Sequence, residues 1–293
     1  MKKKTAIVTG GTANDVPAMA CLVMNIKDTN PNLADEIVIF HNGIAQKDQT
    51  LINDIFPTRF ILYESPFADV KAFGDVVTNY FSLMVFCKYE CFRLLDEYEC
   101  VIWTDYDVVI VDDLSELKEP GISGIRILIA EGSSISESFF KNALVNADIQ
   151  KYDLKKDEIS MSLFSVSSKL FNYQAIYDWC IEHTKKWAAY LYLPEQAVVN
   201  LMLQHFNLTL DAFHNDSKCY TVHPISESDI HPKKILHAYC QPKFWNGLYN
   251  EIWEKNYRKW IKMGGTPYEH RTFIGKIKKT IYKGLRKIGR LLK

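Results

Sequence analysis

Residues 99–107 read Glu-Cys-Val-Ile-Trp-Thr-Asp-Tyr-Asp, and they limit the folds open to this chain more than any other stretch. Val101–Thr104 is a short apolar run rich in β-branched and aromatic side chains. It reads as a buried strand, of the kind found in parallel sheets covered by helices on both faces. The run ends in two carboxylates, Asp105 and Asp107, with one residue between them. Strand alternation predicts both on one side of the chain. They stand at the carboxyl end of the strand, where open α/β sheets bind their ligands. Two hard anionic oxygens aimed at one point suit Mg²⁺ or Mn²⁺, and such an ion in turn holds a phosphate. An acidic turn closing a strand accounts for the same two residues equally well.

The rest of the chain supports the α/β reading. Strand signals at Thr5–Thr9, Glu36–Phe40 and Arg59–Tyr63 alternate with helical ones at Val16–Ile26 and Gln49–Ile55. A longer helix is predicted from about Tyr80 to Leu95, leading into the Val101–Thr104 strand. Ile125–Ala130 and Met161–Val166 read as further strands, and Asn172–Lys186 and Pro194–Phe206 as helices, with Pro194 suited to a first helical position. Short strands near Cys219–Val222 and Lys234–Ala238 precede an aromatic-rich helix at Tyr249–Ile261. This order predicts an α/β domain with a mainly parallel sheet and helices on both faces. Gly264-Gly265-Thr266-Pro267 marks a boundary, giving a domain over 1–263 and a tail over 264–293.

The 293 residues suffice for one large domain with a sizeable core. The formal net charge is zero, but it is unevenly spread. Residues 269–293 hold nine of the 35 Lys and Arg and one of the 35 acids, Glu269, which leaves 26 basic and 34 acidic side chains in 1–268. A basic tail on an acidic body points to an anionic partner for the tail. Ile274, Ile277, Ile281, Leu285, Ile288 and Leu292 recur at helical spacing, with Lys276, Lys279, Lys283, Arg286, Lys287 and Arg290 between them. That is the composition of a helix lying in an anionic membrane surface, whereas phosphate binding by nucleic-acid partners needs no apolar stripe. The seven cysteines form no CxxC pair, which argues against structural zinc and for a reducing cytosol. No stretch has signal-peptide or transmembrane length. The expected location is cytoplasmic, peripheral to the inner face of the plasma membrane.

Three further sets of residues invite chemistry. Asp112, Asp113 and Glu116 follow the apolar run Val108–Val111 and read as a solvated turn and helix cap rather than metal ligands. His237 closes another apolar run, and Lys243 follows six residues on; an imidazole beside two aspartates would complete a mixed oxygen and nitrogen site of the kind Mn²⁺ accepts. A lone histidine is more often structural. Glu195 and Gln196 begin a helix, where a carboxylate complements the dipole and an amide can simply be exposed.

Taken in order, these residues resemble glycosyltransferase family 8, retaining enzymes of GT-A, Rossmann-like fold that use nucleotide sugars. The similarity runs over most of residues 4–247. Asp105-x-Asp107 with the following Val111–Leu117 is similar to the family's metal strand and its continuation. Glu195-Gln196 followed by Asn200 is similar to its Asp-Gln-x-x-x-Asn helix start. His237 with Lys243 is similar to its His-x-x-Gly-x-x-Lys-Pro-Trp segment. There are departures. Cys240 stands where the family has glycine, and Lys243-Phe244-Trp245 where it has Lys-Pro-Trp. Lys88 replaces an arginine, Ser160-Met161-Ser162 replaces Asn-x-Gly, and an aspartate expected near Thr12 is missing.

The resemblance implies Mn²⁺ (or Mg²⁺) held by Asp105, Asp107 and His237. Thr9, Gly10, Asn14, Lys88, Asp105 and Lys243 would bind a UDP-sugar donor, with Gln196 and Glu195 catalytic beside the sugar. It further implies transfer of a hexose, with retention, to a glycan or lipid-linked acceptor, in bacterial surface-polysaccharide or glycoconjugate synthesis, with no nucleic acid involved. Two alternatives remain. One is a metal-dependent phosphohydrolase with Asp105 as nucleophile, weakened by Val109 where that chemistry's motif needs threonine. The other is a non-catalytic relative that binds a nucleotide sugar or a membrane.

Overall fold

The structure is a computed structural model and describes residues 3–67, 70–74, 77, 81–212, 234–239 and 241–272. Its centre is a seven-stranded sheet built from β1 (Lys3–Gly11), β2 (Glu36–His41), β3 (Thr58–Leu62), β4 (Tyr98–Thr104), β6 (Ile125–Ser134), β7 (Asp157–Ser167) and β8 (Asp211–Ala212). The strand order is β3-β2-β1-β4-β7-β6-β8. The pairs β3–β2, β2–β1, β1–β4 and β6–β8 are parallel, while β7 runs antiparallel to both β4 and β6. The sheet is mainly parallel, as the strand signals predict. A second, two-stranded sheet pairs β5 (Val108–Ile110) antiparallel with β9 (Ile235–His237).

Alternation along the strands sends one set of side chains to each face. Ala6, Val8, Val38, Phe40, Val101 and Trp103 point to one core, covered by α4 (Tyr173–Trp187) and α5 (Pro194–His205). Ile7, Ile37, Ile39 and Ile102 point to the other, under α1 (Val16–Thr29) and α2 (Gln46–Ile55). Both faces of β4 are buried, which is why its sequence is a continuous apolar run rather than an alternating one. The last helix, α6 (Glu251–Lys262), packs beside α1 and buries Trp253, Tyr257 and Trp260.

Two expectations change. The continuous helix predicted over Tyr80–Leu95 is instead 3₁₀ at Leu83–Tyr89, one α turn, α3 (Glu90–Arg93), and 3₁₀ again at Leu94–Asp96. Apolar residues recur three and four apart through this stretch, so its pattern does not separate the two helix types. The described residues are also packed past the predicted boundary at 263. Thr266 donates to buried Asp48 through its backbone N–H (3.0 Å) and hydroxyl (2.6 Å). The Trp260 indole donates to the Thr266 carbonyl (2.8 Å). The chain passes so close to Trp260 that a Cβ on Gly265 would lie 2.0 Å from its ring, so only glycine fits there. Arg271 pairs with Glu254 and lies over the Trp253 and Tyr257 rings. The packed body therefore reaches Thr272, and the amphipathic stripe from Ile274 onward lies outside the described residues, as do Cys219–Val222 and Cys240. Among the described residues no helix is long and apolar enough to cross a membrane. The described cysteines, Cys21, Cys87, Cys91, Cys100 and Cys180, are free and buried.

Candidate active site

The carboxyl ends of β1 and β4 lie side by side, with Val8 in register with Trp103. Beyond Thr104 the chain turns through Asp105, Tyr106 and Asp107 and enters β5. It is this turn, not extended alternation, that brings the two carboxylates to a common point. His237 closes the point from the other chain segment, because β5–β9 pairing sets Val108 opposite His237. One ligand atom from each of Asp105, Asp107 and His237 lies within 4.8 Å of the other two.

Each carboxylate has one oxygen tied down and the other turned inward. Asp105 Oδ1 accepts from the Trp103 indole (2.8 Å) and pairs with Lys88 Nζ (3.2 Å), while Oδ2 lies 3.9 Å from His237 Nε2. Asp107 Oδ2 accepts from Lys243 Nζ (2.5 Å), while Oδ1 lies 3.1 Å from His237 Nε2. His237 Nε2 is nonetheless a buried nitrogen without a hydrogen-bond partner. A buried imidazole nitrogen left unpaired among two free carboxylate oxygens fits a divalent cation, with the tied oxygens orienting the ligands from behind. Burial pushes the Asp107 carboxyl up, but His237 and Lys243 outweigh it and hold it well below the usual carboxylate range. It is ionised and ready to ligate at neutral pH.

Lys88 and Lys243 are both engaged by the protein. Lys88 is buried and joins Asp105 to Glu195 Oε1 (2.8 Å), under the face of Trp103 (5.6 Å to the ring centroid). Burial alone would lower its pKa; Asp105 and Glu195 reverse that and raise it. Lys243 spends its three donors on Asp107, the Ala238 carbonyl (2.5 Å) and the Tyr239 carbonyl (3.1 Å), so it folds its own loop onto the site. Glu195 lies in the first turn of α5, and its neighbour Gln196 accepts the Met161 N–H of β7 through Oε1 (3.2 Å). Asn200, one turn on, accepts the Ile159 N–H (3.0 Å) and returns a bond to the Gln196 carbonyl (3.0 Å). The helix start is thus clipped to the strand beside β4.

At the first loop, Thr9 is fully buried at the end of β1, and Asn14 is exposed in the 3₁₀ turn Ala13–Asp15. Gly10 has a packing reason to be glycine: a Cβ there would lie 2.4 Å from Cys87 Sγ and 3.2 Å from Phe40 Cβ. A Cβ on Gly11 would meet the Tyr106 ring at 2.8 Å. Sequence reasoning overlooked Tyr106 and Asp15. Tyr106 wedges between Gly11 and Trp245 (ring centroids 6.0 Å), fixing the turn that carries both aspartates. Asp15 accepts from Thr12 through backbone (2.9 Å) and hydroxyl (2.6 Å), and burial raises its pKa. Its placement after Thr12-Ala-Asn is a capping pattern and was the available signal. Asp112 and Asp113 are exposed, and the Asp113 carboxylate accepts the Ser115 N–H (3.2 Å), as a solvated turn requires.

The family model described as glycosyl transferase family 8 matches residues 6–248. Among solved structures, the galactosyltransferase LgtC in complex with donor and acceptor sugar analogues is similar, with a TM-score of 0.62 and 13% identity over 91% of this chain and 99% of LgtC. The bifunctional glycosyltransferase WbbM in its apo form gives a TM-score of 0.62 and 12% identity, over 90% of this chain and 52% of WbbM. Apo GlyE of Streptococcus pneumoniae TIGR4 gives 0.54 and 15%, over 91% of this chain and 65% of GlyE. Sequence comparison with curated proteins gives no match. These low identities carry the fold, and the family model carries the kinship. Matched by that model over most of its length, the chain belongs to glycosyl transferase family 8 and is a glycosyltransferase.

Proposed function

We propose that this enzyme moves a hexose from a UDP-sugar to a glycan acceptor with retention of anomeric configuration, and that it depends on a divalent metal. The observation that carries the reading is the convergence of Asp105, Asp107 and the unpaired His237 Nε2 at the carboxyl ends of β1 and β4. The donor class is supported by family membership and by the likeness to LgtC, which is described with donor and acceptor sugar analogues. Asp105, Asp107 and His237 would hold the ion, and a bound Mn²⁺ or Mg²⁺ supplies Lewis-acid stabilisation of charge on the departing diphosphate.

The protein's own groups supply the rest. Gly10 and Gly11 let the end of β1 pack closely on Cys87 and Tyr106, which holds it beside the turn that carries both aspartates. Lys88 and Lys243 keep positive charge next to the carboxylates in a fixed arrangement, and preorganised charge is often the largest catalytic contribution. Gln196, at the start of α5, faces the sugar and stabilises the positive charge that grows as the anomeric C–O bond breaks. Glu195 orients Lys88. The acceptor oxygen bonds to the anomeric carbon, and its proton passes to the leaving phosphate oxygen. The acceptor would lie at β7, near Ser160-Met161-Ser162. The tail, with basic residues interleaved among an apolar stripe in its sequence, would hold the enzyme at an anionic membrane where a lipid-linked acceptor is displayed.

Calorimetry with UDP and Mn²⁺, followed by transfer assays on Asp105→Asn and Asp107→Asn, tests the proposal. Wild-type protein should bind UDP only with the metal, and each variant should lose transfer while staying folded. Metal-independent transfer by both variants, or no nucleotide binding by folded wild type, refutes it.

A further inference from the structure

The family match ends at residue 248, but the described chain runs on, and its segment 266–271 returns to the candidate site. The segment is fastened to the body. Thr266 is bonded to buried Asp48, the Tyr268 N–H donates to the Tyr257 hydroxyl (3.2 Å), and Arg271 pairs with Glu254. From these anchors it reaches the loop that carries Lys243. The Tyr268 ring stacks on Trp245 (centroids 5.6 Å apart, planes 18° apart). His270 Nε2 bonds the Trp245 carbonyl (2.8 Å). A carbonyl oxygen can only accept, so this nitrogen carries the proton and donates.

The loop depends on outside support. Its own hydrogen bonds shape it without fastening it to the body. The Lys243 carbonyl accepts the N–H groups of Asn246 (3.1 Å) and Leu248 (3.0 Å), and the Asn246 side chain accepts the Lys243 N–H (2.6 Å). Its attachments outward include Lys243 on Asp107, Phe244 stacked on Trp253 (6.4 Å), and Trp245. Trp245 is the junction. Its ring meets Tyr106, on the turn between the two aspartates (6.0 Å), as well as Tyr268. Ordering a lysine side chain is entropically costly, so an ammonium is kept at one point only when the backbone that carries it is held.

We infer that residues 266–271 are a positioning strap for the Lys243 loop: Tyr268 and His270 hold Trp245 against the Asp105–Asp107 turn, and so keep the Lys243 ammonium at the candidate site. Tyr268 supplies a buried aromatic face and His270 a hydrogen bond at the surface. The consequence is that nucleotide affinity depends on a segment outside the family match. That consequence rests on the transferase reading, whereas the strap itself does not.

The test is amine acylation of the full chain without metal or nucleotide, read at each lysine by peptide mass mapping. The Lys243 side chain is 12% exposed and the Lys88 side chain 9%, so both should be slow to react in wild type. Tyr268→Ala should speed acylation of Lys243 at least about tenfold, since an aromatic pair contributes on that scale beyond the area it buries. Lys88, held in the core, should react as slowly as before. Tyr268→Phe keeps the ring and should label like wild type. His270→Ala should speed Lys243 about threefold, the effect of one lost hydrogen bond. Lys243 as protected in Tyr268→Ala or His270→Ala as in wild type overturns the inference. So does Lys88 reacting in step with Lys243, which would mean general loosening, or Tyr268→Phe labelling like Tyr268→Ala. Calorimetry with UDP and Mn²⁺ should then show binding by Tyr268→Ala weakened at least about twofold, the loss expected once half of the molecules hold the loop displaced. Wild-type affinity in that variant overturns the consequence for the site. No UDP binding by folded wild type would count against the transferase proposal, while the Lys243 labelling still decides the strap.

Discussion

Lys88→Met should destabilise the protein in a manner that depends on metal. Methionine is similar in length and apolar, so the change removes a charge without opening a large cavity. Two carboxylates lose their common cation. The Glu195 side chain is 6% exposed and the Asp105 side chain 23%, so water can compensate Asp105 in part and Glu195 hardly at all. Breaking a buried pair by deleting one partner costs about 3–5 kcal/mol, because the other charge stays buried. For a chain of this size that corresponds to a Tm lower by roughly 5–8 °C. Thermal melts of the two proteins at neutral pH should differ by that amount. Mn²⁺ supplies positive charge to Asp105 and should recover part of the loss. An unchanged Tm at pH 8 would refute the claim that Lys88 holds both carboxylates. A deficit that Mn²⁺ leaves unchanged would show that packing, not charge, was lost.

Further outcomes are expected. Gly10→Ala forces a methyl group to within 2.4 Å of Cys87 Sγ and should cost about 1–3 kcal/mol by denaturant unfolding. Cys87→Ala in the same chain should return most of it, and the absence of rescue would place the strain elsewhere. Truncation after Thr272 should leave the Tm unchanged and abolish co-sedimentation with anionic vesicles, while equal sedimentation of the two proteins would show that the tail is not the anchor. Truncation after Gly265 should instead lower stability by about 1–3 kcal/mol or more, since it strips buried Asp48 of the Thr266 bonds. An unchanged Tm there would show that the packed segment contributes nothing.

The strands were legible because burial on both faces writes itself as continuous apolar runs, as in Ile37–Phe40 and Val101–Trp103. The helices α1, α4, α5 and α6 fall within a few residues of their sequence signals. Which strand lies beside which was not legible. The antiparallel insertion of β7 between β4 and β6 is decided by packing that no local pattern records. The 3₁₀ segments around Cys87 imitate an α-helical stripe. At the site, Asp105, Asp107 and His237 were found through order and spacing. Their convergence depends on a turn and on β5–β9 pairing, both of which are tertiary facts. Tyr106 gave no signal, resembling an ordinary turn aromatic. Gly10 was read as room for a ligand, and the room is also filled by Cys87.

The site draws Asp105 from the end of the large sheet and His237 from the small one, with Asp107 at the junction. The small sheet has three residues per strand, and its register alone decides which way His237 points. A slip of one residue would turn the imidazole to the opposite face and leave the two aspartates without the imidazole that completes the candidate site. On the proposed metal reading, ion affinity would therefore act as a proofreader of assembly: an ion would find tight coordination only in molecules whose last strand has docked in register. Chains misregistered at β9 could fold their main sheet fully and still be silent. In a preparation, the fraction of molecules titrating as metal-competent would then measure how completely this six-residue pairing has formed, independently of any melt of the body.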